Sequence, residues 1–493
     1  MPLRPSFFNF LPSEPGVLAA KMGQSLAAIG EEALELIIAL WILIVVERTY
    51  GQPGVGVYAY LTALLYMARY IADCGVARYM EHDVAIAHGN DSQQQRRMAA
   101  GFQASMVTGL SAALLLLATA GFDTAHTRID ERLAAYGIIA LILPLANLNH
   151  LKLSILQGKG HHGRVARLSF YRYALILGSM LALTRAQVPP SFLLLAHLFS
   201  EVVMAFVLRR RLALPGMTAL WRTPHPIIRT LKQGSAYLFT DNGLDVLLNL
   251  DLFVLGLFVS SWDLGVYAEA AVIVRFFLVI PAGIKPILRR RYNLMAARRE
   301  TTALFALVRH RTAVLFSLHA ILAVCVLLTY PAVLHLFFQT RGEELLSFKL
   351  FAVFVPGLIF YGAFSAQEPL YEALGRMPLL RRLTMIASGI NLVLTAYLVP
   401  FAGFYGAAVA TMLTMQAYFG LFGRNLPPLL GLPKGTYLIG GLTVYLAFTL
   451  LNACDLGVMA IYSLAPLVVS VLFYAIGLFG VAGPAPLSEE ASA

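Results

Sequence analysis

Glu31, Glu32 and Glu35 sit inside one long apolar stretch, and Asp241 and Asp245, with Asn242 and Asn249, sit inside another. On a helix turning about 100° per residue, Glu31, Glu35 and Glu32 fall at about 0°, 40° and 100°, one narrow face. The second set also occupies about 100° of arc. Carboxylates held that close disfavour full ionisation of the group, which suits reversible uptake of a proton or another cation. The competing reading is structural, with each acid paired to an arginine of a neighbouring helix.

Other side chains have the i, i+4 spacing of same-face neighbours: Arg69 with Asp73, His197 with Glu201, and Glu368 with Glu372. Arg69 and Asp73 read as an internal ion pair ahead of a substrate contact. His197 and Glu201 have the chemistry of a proton relay. Arg275 has no acid at helical spacing, the nearest being Glu269, six positions away. With Lys152 and Arg172 it is a candidate ligand for an anion, since a guanidinium matches phosphate oxygens. Pairing with a span acid stands as the alternative.

These charges need elements that keep them out of hydrocarbon. The chain has 493 residues, 59% hydrophobic and 13% charged, where soluble domains carry about 25% charged residues. Runs of roughly 20 apolar residues cross a bilayer, and fourteen are expected, near 23–46, 57–80, 98–120, 133–157, 165–187, 190–208, 234–260, 266–288, 311–337, 347–371, 379–399, 403–423, 435–453 and 457–479. An all-α, multi-pass membrane protein follows. About a dozen charges lie too deep to snorkel; facing lipid they would cost roughly 30 to 40 kcal/mol at about 3 kcal/mol each, so they pair or line a wet interior.

Lys and Arg test the orientation. With both ends inside, the outer loops hold only Arg48, Arg128, Arg132, Arg185 and Arg341, and the inner segments hold most of the rest. The net charge of +11 is then topological, which removes the case for a nucleic-acid partner. Cys74, Cys325 and Cys454 are scattered and read as packing residues, with no disulfide framework or metal spacing. The proline-rich first residues do not have the pattern of a cleaved signal peptide. Pro144, Pro281 and Pro356 are interior to spans and are expected to bend them.

Gly-Val-Tyr-Ala occurs at 56–59 and again at 265–268, each time opening an apolar segment. Counting 24 positions back from each glycine reaches Glu32 and Asp241. The chain therefore reads as two lobes, 1–208 and 234–426, joined by a basic linker at 209–233 and followed by two more spans at 434–480 and a tail at 481–493. Both copies enter the membrane from the same side, so the lobes are expected to form a parallel repeat about an axis along the membrane normal.

Three stretches resemble the polysaccharide flippases (Wzx type) of the multidrug/oligosaccharidyl-lipid/polysaccharide exporter superfamily. The first runs from Glu47-Arg48 and Gly51 through Gly56-Val-Tyr58 to Asp73-Cys-Gly75. The second runs from Asp251 through Leu255-Gly256 and Gly265-Val-Tyr267 to Pro281. The third runs from Pro356-Gly357 through Gly375-Arg376 and Asn391 to Pro400, Gly403 and Gly406-Ala-Ala408. Val55 replaces the aromatic residue usual in the first motif, and the acid-rich first span departs from lipid II flippases, so lipid II is not assigned.

The resemblance implies two six-helix lobes around a cavity that opens alternately to the two faces, moving an undecaprenyl-diphosphate-linked oligosaccharide from the cytoplasmic to the periplasmic leaflet of a bacterial inner membrane. Under that reading Arg69, Lys152, Arg172 and Arg275 meet the diphosphate, and H+ or Na+ on the span acids biases the lobes. Membrane lipids and polysaccharide polymerase or chain-length machinery are the expected partners. No cofactor is expected beyond the coupling ion, and no catalytic residue. A multidrug exporter of the same superfamily is the nearest rival, because eleven span acids against eight span bases suit cationic cargo. A glycan polymerase or ligase ranks behind both, since the longest outer loop, near 121–132, has only about a dozen residues. No nucleotide-binding motif is present.

Overall fold

A computed structural model describes residues 15–86, 91–120, 129–211, 227–238, 243–337 and 344–425. Helices account for nearly all of them, and the described residues contain no strand. In chain order they are α1 (Pro15–Asp73), α2 (Val76–Ile86), α3 (Asp91–Thr119), α4 (Ile129–Gly158), α5 (His162–Arg185), α6 (Leu195–Arg211), α7 (Ile227–Gly234), α8 (Gly243–Phe258), α9 (Ser261–Arg275), α10 (Val279–Ala297), α11 (Thr301–Phe337), α12 (Glu344–Phe364), α13 (Glu368–Ala373) and α14 (Met377–Asn425). The described parts of the first twelve expected spans are almost wholly helical, several of them, such as 57–80, 266–288 and 347–371, shared between two successive helices. The last two expected spans and the tail lie outside the described residues, as do most of the basic linker and Asp241.

Seven stretches among the described residues are long and apolar enough to cross a membrane, and the chain is a multi-pass membrane protein. One stretch, Met377–Tyr418, turns back at Gly403, whose φ of +54° suits glycine. Gly51 (φ +67°) divides α1 in the same way. Cys74 and Gly75, at φ +49° and +71°, end α1 and set off α2 within the second expected span. α9 and α10 run on through a short 3₁₀ turn, Phe276–Leu278, so Ser261–Ala297 forms one 37-residue stretch with Pro281 in its first α10 turn.

The lobes meet where the repeated tetrapeptides pack on each other. A Cβ built on Gly56 would overlap the carbonyl oxygen of Ser261, and one built on Gly265 would overlap the carbonyl oxygen of Gln52. Gly56 to Gly265 and Gln52 to Ser261 are the same separation, 209 positions. The contact is thus reciprocal, as a two-fold relation requires. Beside it Gln52 donates from Nε2 to Glu269 Oε1 at 2.7 Å, also across the lobes. At the far end of the bundle α7 bridges them: Tyr79 donates to Gln233 Oε1 at 2.8 Å, and Arg381 donates to the Ser235 carbonyl at 3.2 Å.

Candidate functional site

Between these two contacts lies a cavity of about 260 Å³. α1 contributes Glu35, Tyr58, Tyr66, Arg69 and Tyr70; α5 and α6 contribute Tyr173 and His197; α8 to α10 contribute Asn249, Arg275 and Lys285; and α12 contributes Tyr361. Among the described lining residues Glu35 is the one acid, against three bases and a histidine. Five lining tyrosines supply flat faces that also carry a hydroxyl.

Among the described span acids, Glu201, Asp251, Glu269 and Glu368 are buried outside this lining, against partners on neighbouring helices. Arg172 forms an ion pair with Glu201, whose Oε2 also accepts from Asn149 Nδ2 at 2.7 Å. Glu269 is engaged with Gln52. Lys285 Nζ stands 2.5 Å from Glu368 Oε2, and one turn on Arg289 Nε stands 2.5 Å from Glu372 Oε2. Partner exchange of this kind keeps each buried charge compensated, where an orphaned one would be strongly destabilising.

The four expected headgroup cations divide into two groups. Arg69 and Arg275 line the cavity: Arg69 lies over the Tyr66 ring, 5.7 Å from its centroid, and Arg275 Nη2 donates to Asn249 Oδ1 at 2.9 Å. Arg172 sits behind Tyr173 on Glu201, and Lys152 is buried in α4 away from the cavity lining. Lys285, which reads in sequence as a snorkelling side chain, is a third cavity base.

The expected pairs also separate. Asp73 ends its helix, so its Oδ1 accepts from the Ala77 amide at 3.3 Å and lies 3.6 Å from His150 Nδ1; among the described residues it forms no ion pair with Arg69. His197 turns from Glu201 to the Tyr58 hydroxyl at 3.0 Å. Of the first acid stripe, Glu35 faces the cavity and is hydrogen-bonded to Tyr173. The side chains of Glu31, Glu32 and Asp245 lie outside what the structure describes. Cys74, in the left-handed turn, is half-buried and packs against the core of Val76, Met80 and their neighbours as expected, whereas Cys325 is exposed.

A second polar site was not legible as one in the sequence. Asp251, fully buried on α8, accepts from the Tyr267 hydroxyl on Oδ2 at 2.8 Å, from Thr395 on Oδ1 at 3.2 Å, and from Thr411 on Oδ2. Asn391 donates to Thr411 at 2.7 Å, while its own Oδ1 is buried without a hydrogen-bond partner. One carboxylate and three hydroxyls form an oxygen nest, the kind of donor that hard cations take. The described residues hold no cluster of three or more His, Cys, Asp or Glu side chains placed to hold a metal ion.

No family model matches the chain, and no curated protein matches it. Solved structures do. The chain is similar to a lipid II flippase, MurJ, in an inward closed conformation (TM-score 0.66, 12% identity, 92% of this chain and 98% of that one). It is equally similar to an inward-facing multidrug resistance transporter of the MATE family (TM-score 0.66, 12% identity, 83% and 99%). A MOP superfamily transporter from Pyrococcus furiosus, described by the reverse polarity of its binding pocket, follows at TM-score 0.60, 12% identity, 83% and 96%. The fold is that of the multidrug/oligosaccharidyl-lipid/polysaccharide (MOP) exporters.

Proposed function

We propose that the chain is a flippase for an anionic lipid-linked glycan, an undecaprenyl-diphosphate-linked oligosaccharide, carried from the cytoplasmic to the periplasmic leaflet by alternating access. The observation that supports this reading is the charge of the cavity between the lobes, where, among the described residues, Arg69, Arg275 and Lys285 stand with one acid, Glu35. Arginine forks bind phosphate oxygens in pairs, and lysine meets them as a point charge. Tyr58, Tyr66, Tyr70, Tyr173 and Tyr361 offer stacking faces and hydroxyls to sugar rings, and the polyprenyl tail stays in lipid.

A coupling cation, H+ or Na+, binds in the C-terminal lobe at Asp251. Thr395, Thr411 and Tyr267 complete the oxygen set, and Asn391 positions Thr411. Such an ion biases the lobes only through its different affinity for their two states. Glu31, Glu32, Glu35, Asp241 and Asp245 are the further coupling candidates, with Glu35 close enough to the cargo to link the two. Arg172 and Lys152 support the cavity wall and the N-terminal lobe under this reading, and do not touch the diphosphate.

Deleting the gene in a host that makes the glycan tests the proposal. Lipid-linked oligosaccharide is expected to accumulate in the cytoplasmic leaflet, and purified protein in vesicles is expected to restore its crossing. The rival reading is a multidrug exporter of lipophilic cations. It would be favoured by drug hypersensitivity with no change in the leaflet distribution of the glycan lipid.

A further inference from the structure

Lys285 belongs to two sites at once. Its side chain lines the cavity, and its Nζ holds Glu368 at 2.5 Å while lying 5.8 Å from the Tyr361 ring centroid. Both members are nearly buried, with side chains 11% and 8% exposed. One helical turn on, Arg289 and Glu372 repeat the pairing. Lys285 to Arg289 and Glu368 to Glu372 share the i, i+4 step, so two rungs of one ladder run away from the cavity along α10 and α13. The lower rung opens on a small pocket that Arg289, Glu368 and Glu372 share with Arg78 and Tyr237, residues of α2 and of the turn after α7. The ladder thus joins the cavity to the contact between the lobes.

Resting on the flippase reading above, we propose that Lys285 is a headgroup ligand held in reserve by Glu368, and that an arriving diphosphate takes it and so unlatches the lobe contact beside Glu368 and Glu372. The exchange leaves no buried cation unpaired, because a phosphate oxygen replaces a carboxylate oxygen on the same ammonium. The carboxylate left behind is costly while dry and stable once hydrated. Release of Lys285 therefore favours the state in which the pocket of Arg78, Arg289 and Glu372 opens to water. Cargo lacking an anionic headgroup cannot make the exchange, so the ladder also works as a specificity check.

The test uses the full chain in nanodiscs with spin labels at Arg164→Cys and Arg298→Cys, its natural cysteines replaced, and farnesyl diphosphate and inorganic pyrophosphate as probes. In the otherwise native chain, farnesyl diphosphate is expected to lengthen the distance between the lobes. Glu368→Gln is expected to show the longer distance without probe and to bind it several-fold more tightly. Lys285→Met, which also leaves Glu368 without its partner, is expected to show the longer distance without probe, to bind the probe on the order of tenfold more weakly and to give no further change on binding, and Lys285→Arg to retain both native responses. The paired change K285M/E368Q controls for folding, since an apolar replacement of both partners is commonly tolerated; it is expected to fold and not respond. Pyrophosphate acting as well as farnesyl diphosphate would assign the ladder to the phosphate groups alone; a response to the lipid only would make membrane delivery part of the trigger. Wild-type distances and affinities in E368Q and K285M, with binding still lost in Arg69 and Arg275 variants, overturn this inference and leave the flippase reading standing. No binding of either probe to the native chain overturns both.

Discussion

The N-terminal and C-terminal lobes each contain the same tetrapeptide, and its tyrosine has a different setting in each. Tyr58 lines the cavity and bonds His197, a partner that also lines it. Tyr267 points into the sealed interior of its lobe and bonds Asp251, which is fully buried. The backbone is duplicated closely enough that Gly56 and Gly265 seat reciprocally against Ser261 and Gln52. The polar surroundings of the two tyrosines nonetheless differ, one facing the cavity that both lobes line and the other a buried carboxylate in the C-terminal lobe. On the proposed reading, both lobes hold the cargo and the C-terminal lobe alone holds the cation nest.

The largest expected effect would break the comparison outright. Asp251→Asn removes the nest's charge with little change of shape; cargo binding is expected to persist while the dependence of transport on H+ or Na+ disappears. Transport assays in vesicles under imposed ion gradients check this, and unchanged ion dependence would remove the C-terminal lobe from coupling. Arg275→Ala is expected to lower diphosphate-lipid affinity by roughly 10- to 100-fold, the loss of a charge-assisted hydrogen bond or two, with ion dependence intact. Equilibrium binding measures it, and an unchanged affinity would take α9 out of the headgroup site.

The reciprocal glycines sharpen the comparison on its symmetric side. Gly56→Ala and Gly265→Ala each force a methyl against backbone, an overpacking cost of about 1 to 3 kcal/mol. Their thermal shifts are expected to be nearly equal, and both are expected to favour separation at that end. A large effect at one glycine only would show that the contact is not a two-fold one. The smallest effects are expected from the tyrosines, about 1 kcal/mol for each lost hydroxyl. Tyr58→Phe is expected to weaken cargo binding alone and Tyr267→Phe to weaken cation binding alone, as separate titrations of the two ligands would reveal.

Hydropathy made the all-helical, multi-pass architecture legible in the chain, because span-length apolar runs have few other ways to bury their backbone polar groups. The repeated Gly-Val-Tyr-Ala pointed to the lobe contact for a similar reason: only glycine permits backbones to approach as Gly56 and Gly265 do. Charge pairing was not legible. An i, i+4 step puts Arg69 with Asp73 and His197 with Glu201 on common faces, yet their partners come from other helices, Tyr58 for His197 and Arg172 for Glu201. Asp73 is lost to Arg69 because Cys74 and Gly75 end the helix there. The Asp251 nest draws Thr395 and Thr411 from 144 and 160 positions away, a distance no local pattern spans. The count of span acids could not tell which of them, such as Glu201, Glu368 and Glu372, pair with bases on other helices.

The most direct test of a basic, cargo-binding cavity is equilibrium titration of the nanodisc-embedded chain with two amphiphiles of similar size, farnesyl diphosphate and a lipophilic quaternary ammonium ion. Saturable binding of the diphosphate that is lost in an Arg69→Ala, Arg275→Ala double variant, with no comparable binding of the cation, is the expected result. Tighter binding of the cation, insensitive to Arg69 and Arg275 and lost in Glu35→Gln, would contradict it.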